Sequence, residues 1–461
     1  MQSKLEKYIV LISFISSIVG VFVINGVIIG VPDIAREFGM NNVIENWIPT
    51  IFVFAAIILT IPAGQLAGKI GFKKTLIIGC TIKLIGFIGI LLATSPETFL
   101  LFRAIQGIGV AFSNVSELAI IALGIKEESR GKALGITATG VYVGTSAAPV
   151  ICGFLVENFG WKSMFYITIP FLVLCILLMI FKLDSEWKVD EKIKIDKKGS
   201  ILYMIGTFLF IYGFSDLVTP IGKICLIIGL IFLIVFAIYE LRQKYPVFNV
   251  KIFKNRSFTS YNIAGFCGYF AVTVVTTILN YHFQYIKGWD PETAGLILII
   301  SPIIMSITAI NAGRLSDKYH PQKIALIGMT ISIFAFILLS LVNANTSLHI
   351  IIIAMILQAL GMGLFSSPNM NAIIGSVSKD NITDATGALI TMRSVGQTMS
   401  LSLITLVFSW IMGNLELSSK YAQMIVQSSQ TICVICALAC IVGAIVSIIG
   451  IKSENKIKKE L

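Results

Sequence analysis

Long runs of apolar residues, broken by short charged or turn-forming segments, occupy almost the whole of this 461-residue chain. The hydrocarbon core of a bilayer is roughly 30 Å thick, so a helix needs about 20 apolar residues to cross it. The pattern therefore predicts fourteen transmembrane helices and leaves no room for a sizeable soluble domain. The predicted ranges are 8–31, 47–68, 74–94, 98–123, 133–157, 161–182, 199–218, 221–241, 257–281, 292–312, 323–343, 346–368, 385–412 and 430–451.

Composition supports a chain whose natural solvent is the lipid bilayer. Hydrophobic residues make up 56% of the chain and charged residues only 13%, which is too little polar surface for a water-soluble protein of this length. A net charge of +11 could attract nucleic acid, but membrane proteins concentrate Lys and Arg on their cytoplasmic loops. No nucleic-acid partner is therefore expected.

The distribution of basic residues predicts the orientation of the helices. With both termini in the cytoplasm, 27 of the 35 Lys and Arg residues fall on inner segments, 5 on outer loops and the other three within spans. This bias favours cytoplasmic termini. The first apolar run is too long for a cleaved signal peptide, and we expect it to stay as the first span. The Ile- and Lys-rich composition is typical of a prokaryotic chain, so the expected location is the cell (cytoplasmic) membrane.

Two motifs occur twice, which indicates an internal duplication. The loop 64–74 after the second span is echoed at 313–323, an offset of 249 residues. The Gln-Gly-Ile-Gly sequence at 106–109 is echoed by Gln-Ala-Leu-Gly at 358–361, an offset of 252 residues. Two echoes at nearly one offset predict six helices, a two-helix insert, and six helices again.

The predicted domains follow from this duplication and from the most charged segment of the chain, at 182–198. They are an N-terminal six-helix bundle (1–182), a cytoplasmic linker with two additional helices (183–256), and a C-terminal six-helix bundle (257–461).

The repeated loop and the Arg-Ala-Ile-Gln-Gly sequence at 103–107 resemble signatures of the major facilitator superfamily, and within it the fourteen-span drug:proton antiporter family. The resemblance covers essentially the whole chain. It implies an all-α polytopic membrane protein with the major facilitator fold, in which two six-helix bundles flank two inserted central helices. It also implies secondary transport by rocking of the bundles about a midplane cavity.

The resemblance further implies that the repeated loop is a latch that holds one conformation of the rocking bundles. An acidic residue at a helix end can cap the next helix or pair with basic neighbours. Gly68 occupies the acidic position of the first copy, whereas the second copy keeps Asp317, so the stronger latch is expected in the carboxyl-terminal half. The assigned latch residues are Gly64, Lys73 and Lys74 in the first copy, and Gly313, Arg314, Asp317 and Lys318 in the second.

The fourth span carries Arg103, Gln106 and Gly107 of the resembling signature. An arginine inside a span costs about 2.5 to 3.5 kcal/mol on insertion scales, so such residues usually face a cavity. By resemblance, Arg103 assists proton exchange or contacts the substrate, with Gln106 bonding on the same face. The alternative is an arginine that extends to the outer membrane interface.

Glu117 and Lys83 are the other ionisable candidates for the substrate or proton pathway. A carboxyl group in a low-dielectric environment can bind and release protons near neutrality, which makes Glu117 the best acidic candidate for proton coupling. Alternatively, Glu117 reaches the cytoplasmic headgroups. Lys83, near the middle of the third span, could pair with Glu117, meet an anionic substrate, or be a partnered structural charge. Two positions are open for Arg393 in the thirteenth span: the lining of the carboxyl-half cavity, or the cytoplasmic end of the helix.

The fifth span resembles the glycine-rich antiporter helix, whereas the first span departs from the family pattern. Small residues four apart permit close packing and proline bends a helix; the assigned residues are Gly140, Gly144, Pro149 and Gly153. In the first span, the family's aspartate is replaced by Val23, and Asn25 is the nearest polar side chain. Asparagine hydrogen-bonds but does not titrate, so recognition of cationic drugs through this position loses its support.

The sequence contains no Walker-type phosphate loop and no constellation for nucleophilic catalysis. Its eight cysteines lie in apolar stretches, where thiols behave as small hydrophobes, and no metal-ligand spacing appears. Neither a cofactor, a metal nor an enzymatic activity is therefore expected. The energy for transport must come from an ion gradient, with protons as the coupling ion.

The leading hypothesis is proton-driven efflux of amphipathic drugs or similar small molecules. The alternative is antiport or import of a specific metabolite, for example an anionic one, which fits Lys83 and Arg103 within spans and the missing aspartate. A third hypothesis, from a different class, is a non-transporting membrane receptor or scaffold that kept the fold. Resistance to several unrelated cationic compounds would favour efflux, and replacement of Arg103 would abolish transport but leave a scaffold role intact.

Overall fold

The computed structural model describes residues 4–40, 42–188, 194–217, 219–413 and 418–460. Within these residues the fold is entirely helical, which confirms the predicted all-α class. Short 3-10 segments and one π-helical turn (His282–Ile286) supplement fifteen α-helices. The α-helices are α1 (Lys4–Phe38), α2 (Asn42–Ile70), α3 (Phe72–Leu91), α4 (Pro96–Gly124), α5 (Glu127–Phe159), α6 (Ser163–Lys182), α7 (Lys197–Ser215), α8 (Pro220–Glu240), α9 (Arg256–Tyr281), α10 (Pro291–Leu298), α11 (Ile300–Lys318), α12 (Pro321–Ser340), α13 (Leu348–Gly375), α14 (Ile382–Met412) and α15 (Ala422–Glu460).

The predicted spans correspond to these helices one by one. In the described residues, thirteen helical segments are long and apolar enough to cross a membrane, and α10 with α11 counts as one of them. The fourteenth is α7, whose 19 residues begin with two lysines that lower its hydropathy. The helices α12 to α15 are therefore spans eleven to fourteen. Most helices extend a few residues beyond the predicted apolar windows, because their ends continue into polar residues.

Polar side chains determine where several helices begin. Ser95 accepts a hydrogen bond from the Thr98 amide and forms a capping box ahead of α4, with Pro96 in the first turn. Asp196, Thr219 and Asn255 cap α7, α8 and α9 in the same way. Each cap satisfies amide groups that have no partner within the helix.

The helices pack as two halves with an additional pair beside them. In the first half, α1 packs on α5 and α6, and α4 packs on both α2 and α3. In the second half, α9 packs on α14 and α15, while α13 packs on α11 and α12. The inserted helices α7 and α8 pack on each other, and α7 contacts α2 and α14. The exact boundaries 182/183 and 256/257 stay a prediction.

The duplication is visible in how the helices cross. A methyl group placed on Gly79 of α3 would lie 2.8 Å from the carbonyl oxygen of Gly109 on α4. The same construction on Gly328 of α12 lies 2.5 Å from the carbonyl oxygen of Gly361 on α13. These pairs are related by the offsets of 249 and 252 residues found in the sequence. Each half therefore brings two helices into backbone contact at a pair of glycines.

Both chain ends lie on the same face of the bundle. The Glu6 carboxylate near the start of α1 accepts from the Lys126 amide between α4 and α5, at 3.5 Å. Tyr261 at the start of α9 donates to Glu454 near the end of α15, at 2.8 Å. We call the face that carries these ends the terminal face, and the other the opposite face. The orientation of the terminal face toward the cytoplasm stays a prediction.

Replacement of Gly328 by alanine should destabilise the fold by about 1 to 3 kcal/mol, because the added methyl meets backbone atoms that cannot move independently. Gly153→Ala is the matched control, since nothing lies within 4 Å of its added methyl. Thermal unfolding of the purified protein in detergent should give a lower melting temperature for the first variant alone. Equal melting temperatures would contradict the glycine crossing.

Candidate functional site

The two halves are joined at the terminal face by a carboxylate of one half that accepts hydrogen bonds from backbone amides of a helix in the other. Asp317, near the end of α11, accepts hydrogen bonds from the backbone amides of Gly131 (2.6 Å) and Lys132 (2.8 Å) in the first turns of α5. The cap residue of α5 itself, Lys126, provides no side-chain bond. A negative charge at a helix start also opposes the helix dipole favourably. The latch thus acts between halves: Asp317 bonds to the second turn of α5 and not to the helix that follows it.

Close backbone packing and a second polar bridge reinforce this contact. A methyl group on Gly313 would lie 2.2 Å from the Gly131 carbonyl oxygen, so only glycine permits this approach. The Arg130 guanidinium donates to Asn371 at 2.8 Å, and Asn371 donates to the Ser316 hydroxyl at 3.1 Å. Two other members of the predicted latch, Arg314 and Lys318, are exposed and stand outside these bonds.

The first copy of the latch has a different role. Glu186, in the segment after α6, accepts from the amides of Lys73 (2.8 Å) and Lys74 (3.3 Å) and so caps α3. The Lys73 ammonium donates to the Leu183 carbonyl. Gly64 packs against Thr383 of α14, since a methyl there would lie 3.3 Å from that side chain. With Gly68 in place of an acid, the charged contacts of this copy go to the start of the linker after α6 and not to the second half. Sequence analysis did not predict the role of Glu186.

Arg103 is fully buried between α4 and α2, so it does not extend to the outer interface. Its Nε donates to the Ile48 carbonyl at 3.2 Å, and its Nη1 donates to Gln106 Oε1 at 2.8 Å. The guanidinium also lies 4.7 Å from the centre of the Phe52 ring. In the described part of the chain, Arg103 Nη2 and Gln106 Nε2 have no hydrogen-bond partner. Gly107 permits this packing, because a methyl there would lie 2.3 Å from the Phe52 carbonyl oxygen.

Glu117 and Lys83 are two buried ionisable residues of the first half that interact electrostatically. Glu117 is 6% exposed and Lys83 is 4% exposed. The Ser17 hydroxyl of α1 donates to Glu117 Oε1 at 3.1 Å, and the Lys83 ammonium attracts the Glu117 carboxylate electrostatically. Glu117 therefore does not reach the headgroups; it contacts α1 and faces a cation on α3.

The equivalent positions of the second half are neutral. The repeat offsets relate Lys83 to Ser332 and Glu117 to Asn369. Ser332 lies beside Gly361 as Lys83 lies beside Gly109. Asn369 is 1% exposed and its Oδ1 has no partner in the described residues. The duplicated scaffold thus carries an ionisable pair in one half and uncharged side chains in the other.

An aromatic cluster with one arginine lies where the two halves meet at mid-depth. The Tyr142 hydroxyl of α5 donates to the Ser366 hydroxyl of α13 at 2.9 Å. Arg393 of α14 is half-buried, with its guanidinium 5.0 Å from the centre of the Tyr269 ring on α9. Arg393 also interacts electrostatically with Tyr142. We call these four residues the central cluster; it places Arg393 within α14 near the contact of the two halves, and not at a helix end.

Sequence reasoning missed Tyr142, Tyr269 and Ser366. Tyrosines in membrane proteins concentrate at the two interfaces, where the hydroxyl meets water. Tyr142 and Tyr269 instead lie near the middle of their helices. A tyrosine at mid-span was the signal that could have found them.

The remaining predicted residues have local roles within their helices or at helix contacts. Gly140 and Gly144 let α5 approach α1, since methyl groups there would lie 2.8 Å and 2.9 Å from backbone oxygens of α1. Asn25 donates to the Val21 carbonyl of its own helix, at 3.1 Å. Pro149 is exposed, Gly153 has an open surrounding, and α5 stays helical through both.

Comparison with known proteins gives a consistent result. The sequence profile of the Major Facilitator Superfamily matches residues 10–401 and 261–460. The riboflavin transporter RibZ of Clostridioides difficile (strain 630) is 27% identical over 459 residues, which cover 98% of this chain and 99% of the relative. The multidrug resistance protein Stp of Mycobacterium tuberculosis (strain CDC 1551 / Oshkosh) is 22% identical over 421 residues, 88% of this chain and 77% of the relative. The crystal structure of the human organic anion transporter MFSD10 matches the fold with a TM-score of 0.67 at 14% identity, over 94% of this chain and 99% of that one.

Replacement of Asp317 by alanine should release the first turns of α5. A hydrogen bond to a charged group contributes about 1.5 to 3 kcal/mol, so amide exchange at Gly131 and Lys132 should accelerate about tenfold or more. Hydrogen-exchange mass spectrometry of the α5 peptide measures this directly. Glu157→Ala, an exposed carboxylate on the same helix, is the control and should leave exchange unchanged. Unaltered exchange in Asp317→Ala would remove the capping role.

Proposed function

The chain belongs to the Major Facilitator Superfamily, and on this premise we propose that it is a proton-coupled secondary transporter of a planar aromatic metabolite of the flavin class. Its fold is that of a multi-pass membrane transporter, and members of the superfamily are transporters, not enzymes. The proposal concerns the substrate, the coupling ion and the cell membrane as its location. The central cluster is the observation that carries it.

The chemistry of the central cluster suits a flat ring system that is neutral or anionic. An arginine over a tyrosine ring offers a cationic and an aromatic surface side by side, on which a conjugated ring can stack. The Tyr142 and Ser366 hydroxyls can hydrogen-bond ring carbonyls or sugar-type hydroxyls. None of the four residues of the cluster is acidic, and Val23, at the position of the family's aspartate, is buried in the apolar core. The likeness to a riboflavin transporter over almost the full chain supports the same class of substrate.

The buried pair Glu117 and Lys83 supplies the proposed proton site. A carboxylate that accepts from Ser17 on α1 and attracts Lys83 on α3 connects two helices through its charge. Protonation of Glu117 removes that charge and loosens the connection. One proton that enters down a potential of 100 mV supplies about 2.3 kcal/mol. The proposed proton site lies in the first half and Arg393 lies in the second, so each half responds to one ligand.

The closure at the terminal face supports alternating access. In the described residues, five side-chain hydrogen bonds join the two halves, and all lie between the terminal face and mid-depth. In this conformation the substrate would reach the central cluster from the opposite face. Transport would then require the hydrogen bonds of Asp317 and of Arg130 between the two halves to break.

The second candidate is proton-driven efflux of amphipathic drugs by a fourteen-span antiporter. The similarity to the multidrug resistance protein Stp favours it. The same Glu117 site would serve this function, but the substrates would be cationic and varied. The two candidates therefore differ in what the central cluster accepts.

Expression in a bacterium that lacks its own riboflavin synthesis and uptake should restore growth on low external riboflavin, and riboflavin accumulation can be followed by fluorescence. Arg393→Ala and Tyr269→Ala should raise the apparent KM by roughly threefold to thirtyfold, because a cation–π or stacking contact contributes about 0.5 to 2 kcal/mol. Arg314→Ala, an exposed arginine of the same half, is the control. Transport of several cationic dyes without transport of riboflavin would favour the second candidate.

Replacement of Glu117 by Gln should uncouple the transporter. Glutamine keeps the size of the side chain and mimics the protonated form, so accumulation against a gradient should be lost while exchange of labelled for unlabelled substrate persists. Wild-type accumulation should collapse with a protonophore, and exchange by the variant should no longer depend on pH. Glu97→Gln, on the exposed first turn of α4, is the control. Retained proton-driven accumulation in Glu117→Gln would place the coupling site elsewhere.

A further inference from the structure

Carboxylates meet where the inserted helix pair reaches the terminal face. Asp196 caps the start of α7, and Glu240 is the last residue of α8. Asp384 lies in the first turn of α14. These three residues belong neither to the latch nor to the central cluster, and the duplicated halves contribute only one of them.

Two of these carboxylates, Glu240 and Asp196, each have one buried oxygen without a hydrogen-bond partner in the described part of the chain. Glu240 is 2% exposed, and its Oε2 accepts a long hydrogen bond of 3.5 Å from the Phe248 amide. Its Oε1 and Asp196 Oδ2 are both buried, and neither has a hydrogen-bond partner among the described residues. Both oxygens lie over Gly199: a methyl group placed there would be 2.0 Å from Glu240 Oε1 and 3.0 Å from Asp196 Oδ2.

No cation compensates this pair in the described structure. The charged side chains that act on Glu240 are Asp196 and Asp384, both acidic. Asp196 Oδ1 accepts from the Gly199 amide at 3.0 Å and from the Tyr239 hydroxyl at 3.3 Å. The described basic residues nearest in the chain are all exposed: Lys194, Lys197, Lys198, Arg242 and Lys244. Two adjacent buried carboxylates cannot both stay ionised at low cost, so the site must bind a positive charge.

We propose that Glu240 and Asp196 bind one proton between them, in an O–H···O hydrogen bond that joins Glu240 Oε1 to Asp196 Oδ2. The proton comes from solvent and reduces the charge of the pair from two to one. It also gives each unpartnered oxygen a hydrogen-bond partner. A proton suits these carboxylates better than a metal ion, because no group of three or more metal-binding side chains occurs in the described residues.

The shared proton stabilises the segment 241–255, which follows Glu240 and crosses the terminal face. Its Phe248 amide is bonded to Glu240, and its Pro246 carbonyl accepts from Gln65 of α2 at 3.0 Å. Asn249 then donates its amide to Asp384 on α14 at 3.1 Å and its side chain to Asn381 at 3.2 Å.

This segment thus joins α2 to α14. Its contact with α2, at Gln65, lies close in the chain to Gly68, which stands in the first copy of the latch where the second copy has Asp317. Proton binding at Glu240 therefore favours the closed terminal face. This proton site depends on the fold alone and does not depend on which substrate is carried.

Infrared difference spectroscopy of the purified protein tests the proposal directly. The carbonyl stretch of a protonated carboxyl should appear at mildly acidic pH and disappear as the pH is raised. Glu240→Gln should remove this band, and Asp196→Asn should shift it, because the hydrogen-bond partner changes. Glu117→Gln identifies any band that comes from Glu117, which is also buried. Glu97→Gln, at an exposed carboxyl, should leave the spectrum unchanged. A spectrum of Glu240→Gln identical to that of the wild type overturns the proposal.

Amide exchange of the segment 241–255 gives a second readout that does not depend on transport. In the wild type, exchange corrected for its intrinsic pH dependence should accelerate severalfold as the proton leaves, whereas Glu240→Gln should stay slow throughout. The measurement is repeated with Na⁺, Mg²⁺ and Ca²⁺ at high pH. Protection restored by one of these ions would show a metal site and overturn the shared proton, and protection independent of pH in the wild type would do the same.

Discussion

The structure depends on one constraint, that the amide groups at the start of α5 find their acceptor in the other half of the protein. Asp317 supplies that acceptor, and its bonds to Gly131 and Lys132 require α5 and α11 to approach at Gly131 and Gly313. A negative charge near the start of a helix also interacts favourably with the helix dipole. The contact therefore stabilises the arrangement in which the two halves meet at the terminal face. The position of Tyr142 against Ser366, farther along the same pair of halves, follows from that closure.

The two halves share a duplicated scaffold but carry different side chains at equivalent positions. Paired glycines make the same crossing in each half, yet the side chains beside those crossings differ in charge. Lys83 and Glu117 occupy the first half, and Ser332 and Asn369 take the equivalent positions in the second. Arg393 and Tyr269 have instead been added near the centre of the second half. Identical halves would offer identical chemistry, and the proposed coupling of two unlike ligands, a proton and a substrate, uses this difference.

The inserted helices compensate for a loss in the first half. Gly68 cannot cap a helix, and the amides of α3 are capped instead by Glu186 from the segment after α6. The bond between α2 and α14 is made through the segment after α8, from Gln65 to Pro246 and from Asn249 to Asp384. The insert thus does more than add two lipid-facing helices. It provides contacts that the first copy of the repeated loop no longer makes.

The all-helical membrane class, the number of spans and the duplication could be predicted from the sequence, because apolar length and repeated glycines are local properties of the chain. Arg103, Glu117, Lys83 and Arg393 could also be found as candidates, since a charge inside an apolar run is conspicuous wherever the helix lies. The groups that such residues meet depend on the tertiary structure: Arg103 bonds within the first half, and Asp317 bonds to an amide 186 residues away in the chain. Tyr142, Tyr269 and the pair Glu240 and Asp196 became visible only in three dimensions. Each depends on contacts between helices distant in sequence, and no periodicity along one chain encodes such contacts.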